Sequence, residues 1–276
     1  MRILSSAALP SVARRALSTA SIGWSSSITF ATLGTAITTL VLVPGLNVLF
    51  TVLLGADLAA NDTVRIGCAT ALIATLSSVA AGIVARVATD RWIGVFEYVC
   101  TARPVDAGYW LGAAAVPALL ASVTGLSNVG IVWLLSLTAP STGAASGLLL
   151  GAIVLMPVAV LGGVCLGIFA AGLGLYLSDP YTGSNILSII LPVSAGVIVP
   201  VSTYPGWLAW LCAWVPGSRL VQALDTSGGV SGGTSPGFFA LLAADAALAL
   251  LYAAVGLGLT FLAARRIRAG ARASLL

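Results

Sequence analysis

The sequence contains no lysine and no histidine; its twelve basic residues are all arginine. Without lysine there is no P-loop side chain to hold ATP phosphates. Without histidine there is no Ser–His dyad and no histidine-ligated metal. Charge of either sign is scarce: 7% of residues are charged, against about 25% in soluble domains. The net charge of +4 is too dilute to imply a nucleic-acid partner. No CxxC pair occurs. Cys68, Cys100, Cys165 and Cys212 stand alone, mostly in apolar runs, and read as small hydrophobes rather than redox or metal groups.

What remains is hydrophobic: 59% of 276 residues, with a mean hydropathy of +1.09. This is the composition of an integral membrane protein, and a span needs about 20 mainly apolar residues. Six are expected, near 26–54, 66–88, 109–137, 147–177, 185–203 and 237–263. Lipid satisfies no exposed backbone group and no ten-residue alternating strands occur, so the fold class is an all-α membrane protein. Arginine sets the orientation. With the N-terminus in the cytoplasm, Arg2, Arg14, Arg15, Arg86, Arg91, Arg103, Arg265, Arg266, Arg268 and Arg272 lie inside; only Arg65 and Arg219 lie outside. Six spans return the C-terminus to the cytoplasm.

Residues 1–24 carry three arginines, many serines and no acid. Leu4, Ala7, Ala8 and Val12 suggest an amphipathic helix on the inner leaflet, although an organellar transit peptide shares this composition. The first apolar run is far too long for the h-region of a cleavable signal. Residues 26–263 form the expected bundle and 264–276 a basic cytoplasmic tail. Pro44, Pro117, Pro157 and Pro192 fall inside spans, where kinks are usually structural. Gly163 and Gly167 form a small-xxx-small pair that permits close helix approach.

Two segments carry functional information. Between spans two and three, DRWIGVFEYVCTARP (90–104) places Trp92, Phe96 and Val99 at i, i+4 and i+7, with Ile93 and Cys100 beside them. Asp90 suits an N-cap and Pro104 a stop, while Arg91 and Glu97 fall off the apolar face. Such a short amphipathic helix suits either a lipid surface or the grip of another protein. The second segment, GVIVPVSTYPGWLAWLCAWVP (196–216), breaks at Pro200 and Pro205 and then repeats Trp207, Trp210 and Trp214 on one helical face. Tryptophan favours the membrane interface. A re-entrant helix accounts for the breaks and the indoles together; an interfacial loop with an aromatic belt is the plainer reading. Asp245, about eight residues inside the sixth span, is an intramembrane acid that faces Arg219, a wet vestibule or nothing of consequence. Arg86 reads as a snorkelling cation.

These residues resemble the permease subunits of type 2 ABC exporters, in particular the compact bacterial drug- and antibiotic-export branch. Gly196, Pro200, Pro205, Trp207 and Pro216 match that family's broken segment in order and placement. Arg91-x-x-Gly94-x-x-Glu97 followed by Pro104 is similar to its cytoplasmic coupling helix. The chain departs at Tyr181, Thr182 and Gly183, where relatives often carry more charge. The resemblance implies a single permease domain spanning 1–276, multi-pass in a bacterial plasma membrane, pairing as a homodimer or with a related permease on separate ABC ATPase subunits. It also implies that this chain is not itself an enzyme and binds no cofactor, with ATP and Mg held on the partner. Arg91, Trp92, Gly94, Phe96, Glu97 and Pro104 would couple to that ATPase. Gly196, Pro200, Pro205, Trp207, Trp210, Trp214 and Pro216 would form a re-entrant outer gate before span six. The implied cargo is an amphipathic small molecule of drug or antibiotic class, with a lipid-linked glycan or envelope lipid as the alternative. An ion-coupled secondary transporter would need mid-bilayer ionisable groups, which the spans almost lack.

Overall fold

The computed structural model describes residues 11–27, 32–57, 63–102, 107–138, 144–228 and 236–269. Among these residues there are helices and no strands. Ten helices are named in chain order. They are α1 (Ser11–Ser25), α2 (Leu33–Asp57), α3 (Thr63–Trp92), α4 (Val95–Ala102), α5 (Ala107–Thr138), α6 (Ala144–Gly174), α7 (Thr182–Ser194), α8 (Gly206–Cys212), α9 (Ser218–Gly228) and α10 (Pro236–Arg268).

Five of these, α2, α3, α5, α6 and α10, are long and apolar enough to cross a bilayer, which makes the chain a membrane-embedded helical protein. They coincide with five of the six expected spans. The remaining region, 185–203, holds only the thirteen-residue α7. At about 1.5 Å per residue that helix is ~20 Å long, short of the ~30 Å hydrocarbon core. Pro192 lies inside it and Gly196 follows at φ +70°. That left-handed conformation favours glycine and ends the helix. A single 3-10 turn, Val201–Thr203, and the short α8 complete the interrupted segment.

Helix α3 is the central column and the most buried of the five. Toward its start, Ile66, Leu72, Ile73 and Leu76 pack with Val132, Leu155, Leu191, Leu220 and Leu224. Toward its end, Ile83, Val84 and Val87 pack with Phe96, Tyr109, Trp110, Ala263 and Ile267. Without a hydrophobic force between helices in lipid, close backbone approach supplies much of the association. A Cβ on Gly163 would lie 2.6 Å from the Leu76 carbonyl oxygen, and one on Gly167 would lie 3.0 Å from Ala80 Cα. The small-xxx-small pair is therefore an internal seam between α6 and α3. Gly172 and Gly256 make the corresponding contact between α6 and α10, backbone against backbone. Gly82 of α3 leaves room for the Pro117 ring of α5.

Two peripheral features complete the frame. Helix α1 crosses α5 where Gly112 meets Ala16 and Thr19, and it leaves Leu17, Ile22 and Trp24 exposed. Of its expected stripe, Val12 is exposed, whereas Leu4, Ala7 and Ala8 lie outside the described residues. Helix α2 contains a π-helical turn, Thr38–Leu42, immediately before Val43 and Pro44. Its inward stripe is narrow: Gly45, Val48, Val52 and Gly55.

Candidate functional site

The expected coupling segment is two helices with a break between them. α3 runs on to Trp92, and the chain turns at Gly94 with φ +76° before α4 begins. Gly94 has open space around its α-carbon, so the backbone angle alone calls for glycine. The break divides the face that the sequence periodicity suggested, because residues on either side of Gly94 belong to different helices. Phe96 and Cys100 are fully buried and Val99 is half-buried. Trp92 and Ile93 point outward, two-thirds exposed, together with Tyr98.

Asp90 is not the N-cap of this segment. It lies in the last turns of α3, buried, accepting a hydrogen bond from Tyr109 Oη at 2.9 Å and pairing with Arg86 Nη2 at 3.3 Å. Arg86 Nη1 also donates to Ser26 Oγ at 3.3 Å, so Arg86 links α1 to α3 rather than snorkelling alone. Arg91 is likewise turned inward. Its Nη1 donates to the Gly174 and Leu177 carbonyls, each at 2.8 Å. The last carbonyls of a helix have no intrahelical partner and carry partial negative charge, so an arginine there is favourable. From the other side, Arg268 Nε of α10 donates to the Cys100 carbonyl at 3.0 Å. Burial pushes the Cys100 thiol up to about 11, against the opposing pull of Arg268 and with a smaller lift from Glu97. Glu97 is half-buried and the Trp92 ring meets Tyr181 edge-on at 5.5 Å. Pro104 lies outside the described residues. The result is a short helix fixed to α3, α6 and α10, presenting Trp92, Ile93 and Tyr98 at the end of the bundle where Arg86, Arg91, Arg266 and Arg268 gather.

At the opposite end, the interrupted segment is gripped by a residue that the sequence offered only as a topological marker. Arg65, in the first turn of α3, donates Nε to Asp225 Oδ1 at 2.7 Å and Nη2 to Oδ2 at 3.0 Å. The same guanidinium reaches the Gly196 and Val197 carbonyls at 3.2 Å each. One planar group thus joins α3, α9 and the bend after α7, a geometry that only arginine supplies. Tyr204 Oη donates to the Val193 carbonyl at 2.9 Å across the same bend. Pro200 and Pro205 sit at the N-cap positions of the 3-10 turn and of α8, where the missing N–H costs nothing. Trp207, Trp210 and Trp214 are all more than half exposed, and Pro216 is buried. Tyr252 Oη donates to the Trp214 carbonyl at 3.1 Å, tying the end of the segment to α10.

Asp245 is 2% exposed and accepts the Gly217 N–H at 2.9 Å, directly ahead of α9. It serves as an N-cap supplied by another helix, meeting an orphan N–H at the positive end of α9. Arg219 reaches the Ala244 carbonyl at 3.5 Å. Asp245→Ala is expected to lower stability by about 1–2 kcal/mol. Asp245→Asn, which keeps an acceptor, should cost well under half of that. Thermal unfolding of the purified variants in detergent measures both.

A cleft of about 460 Å³ opens between α5, α6 and α10; none of the residues singled out in the sequence lines it. No family model matches the chain, and no curated protein matches it.

Proposed function

We propose that the chain is the permease subunit of an ATP-driven exporter of the type 2 ABC kind. In this reading it moves an amphipathic small molecule out of the cell, and a separate ATPase subunit holds ATP and Mg. The arrangement of α4 is the observation that supports it most. A mechanical coupling element must be stiff toward the bundle and available toward a partner. α4 is anchored by Phe96 in the core, by Arg91 on α6 through the α3 terminus, and by Arg268 on α10, while Trp92, Ile93 and Tyr98 remain exposed. Force applied there reaches three long helices without passing through a flexible joint.

In the same reading both termini lie on the cytoplasmic side of a bacterial plasma membrane. α7 and the bend after it make the sixth crossing, and α8 with α9 dips back from the outer surface as a re-entrant gate. The Arg65 clamp would hold that gate closed, and the exposed tryptophans would seat it at the interface. ATP-driven closure of the partner would tilt α3 and α6 through α4 and strain the clamp from below. Two copies, or this chain with a related permease, would enclose the path.

The test is co-purification of the tagged chain from its native membranes in mild detergent, with bound proteins identified by mass spectrometry. A stoichiometric P-loop ATPase is expected. Its loss on Trp92→Glu/Tyr98→Glu, with insertion and melting unchanged, would assign the contact to this surface. Absence of any ATPase, under conditions that keep a control exporter intact, would overturn the reading.

A further inference from the structure

The cleft between α5, α6 and α10 has walls from Trp110, Leu111, Ala114, Ile168, Leu257 and Phe261. Its volume lies within the roughly 300–1,000 Å³ of ligand-binding clefts. Trp110 and Ile168 are buried, whereas Leu111, Leu257 and Phe261 are substantially exposed along its edges. The hydroxyl of Thr260, the polar wall residue, is already bonded to the Gly256 carbonyl at 2.9 Å. The cleft therefore asks for an apolar occupant.

Its lower edge asks for something else. Leu257, Phe261, Arg265 and Arg268 follow at i, i+4, i+8 and i+11, one stripe of a helix. The Arg265 guanidinium lies 5.5 Å over the Phe261 ring, and Arg268 is anchored on the Cys100 carbonyl. Eight residues of helix separate Leu257 from Arg265 by ~12 Å, close to the ~15 Å from bilayer midplane to headgroups. An apolar groove that ends in cations at that spacing matches one molecule chemically: a chain of hydrocarbon depth carrying a negative head.

We propose that this cleft binds an acyl chain of an anionic phospholipid, with its phosphate held at Arg265. Charge complementarity selects this occupant over a second protein copy, which would gain nothing from an arginine at the foot of the groove. The anionic leaflet of a cell membrane is also the one that arginine-rich ends face. A lipid seated there joins α5 to α10 just above α4. The inference is independent of what the chain transports.

The experiment uses the purified full-length chain in phosphatidylcholine vesicles containing brominated phosphatidylglycerol or, at the same mole fraction, brominated phosphatidylcholine. The Trp110 signal is the difference between wild type and Trp110→Phe. Brominated phosphatidylglycerol is expected to quench it with about a five-fold preference, the effect of one arginine near an anionic surface. Arg265→Gln should bring that preference close to one and leave quenching by phosphatidylcholine unchanged. Arg265→Lys, which keeps the charge, should retain it. Equal quenching by the two lipids in wild type would overturn the proposal, as would a preference that survives Arg265→Gln. If neither lipid quenches Trp110 while the other tryptophans are quenched, protein or cargo covers the cleft, and the proposal also fails.

Discussion

Gly163→Leu is expected to abolish the folded chain. Even a Cβ there would lie 2.6 Å from the Leu76 carbonyl oxygen, 2.8 Å from Val79 Cβ and 3.2 Å from Leu76 Cα. Two of those three atoms are backbone, so no rotamer change relieves the clash. Overpacking a core usually costs about 1–3 kcal/mol because side chains can shift. Here α3 and α6 must move apart, and the separation also opens the Gly167 contact with Ala80 and Ile83. Because this is the most extensive helix pair in the molecule, the loss should exceed that range. Gly258→Leu is the matched control: the same substitution on α10, where a new Cβ meets nothing within 4 Å. Size-exclusion profiles of fluorescently tagged variants should show a monodisperse peak for Gly258→Leu and aggregate or no protein for Gly163→Leu. Normal behaviour of Gly163→Leu would mean that α3 and α6 do not meet at this seam.

The second large effect belongs to Arg65. Arg65→Ala removes four hydrogen bonds at once and leaves Asp225 and two carbonyls without this partner. Breaking a buried ion pair costs about 3–5 kcal/mol. The Asp225 side chain is 34% exposed and can hydrate, so about 3 kcal/mol is expected, nearer the lower bound. Asp225→Asn, which keeps an oxygen opposite the guanidinium, should cost about 1–2 kcal/mol. In a double-mutant cycle on unfolding free energies the pair should couple by about 1–3 kcal/mol. Arg65→Lys should not rescue, because an ammonium lacks the fork that serves a carboxylate and two carbonyls together. Additivity of the two single variants would show that the clamp is not a unit.

The contrast between these two sites shows what the sequence made legible. Gly163 and Gly167 stand out because spacing on a long, uninterrupted helix translates directly into a shared face. The five long helices were readable for the same reason. The coupling segment was misread where helical continuity fails. A count that runs 92, 96, 99 assumes one helix, and Gly94 at φ +76° resets the phase between the first residue and the next two. Arg91, expected to face a partner, consequently turned out to cap α6. Asp90, read as an N-cap, is the buried partner of Arg86 and Tyr109. Arg65 and Asp225 are 160 residues apart, and no local pattern joins them. The one available signal was their position: each lies beside the broken segment, in a chain with only twelve cations and eight acids.

The π-helical turn in α2 has a consequence for how length can vary in this chain. Thr38–Leu42 closes with wider hydrogen-bonded rings than the turns on either side, which amounts to one surplus residue stored in the helix. Everything after it is phased to that surplus. Removing any one residue from 38–42 would let the turn relax to ordinary α-helical pitch and rotate the following stretch by about 100° relative to the first turns. Gly45 and Gly55, which now face Ile131 and Ile66, would then point away, and leucines such as Leu46 and Leu53, exposed at present, would move toward the bundle. A change of length here is thus a change of face. Substitutions in these five positions can be absorbed singly, whereas a one-residue deletion is read by every residue downstream to Asp57.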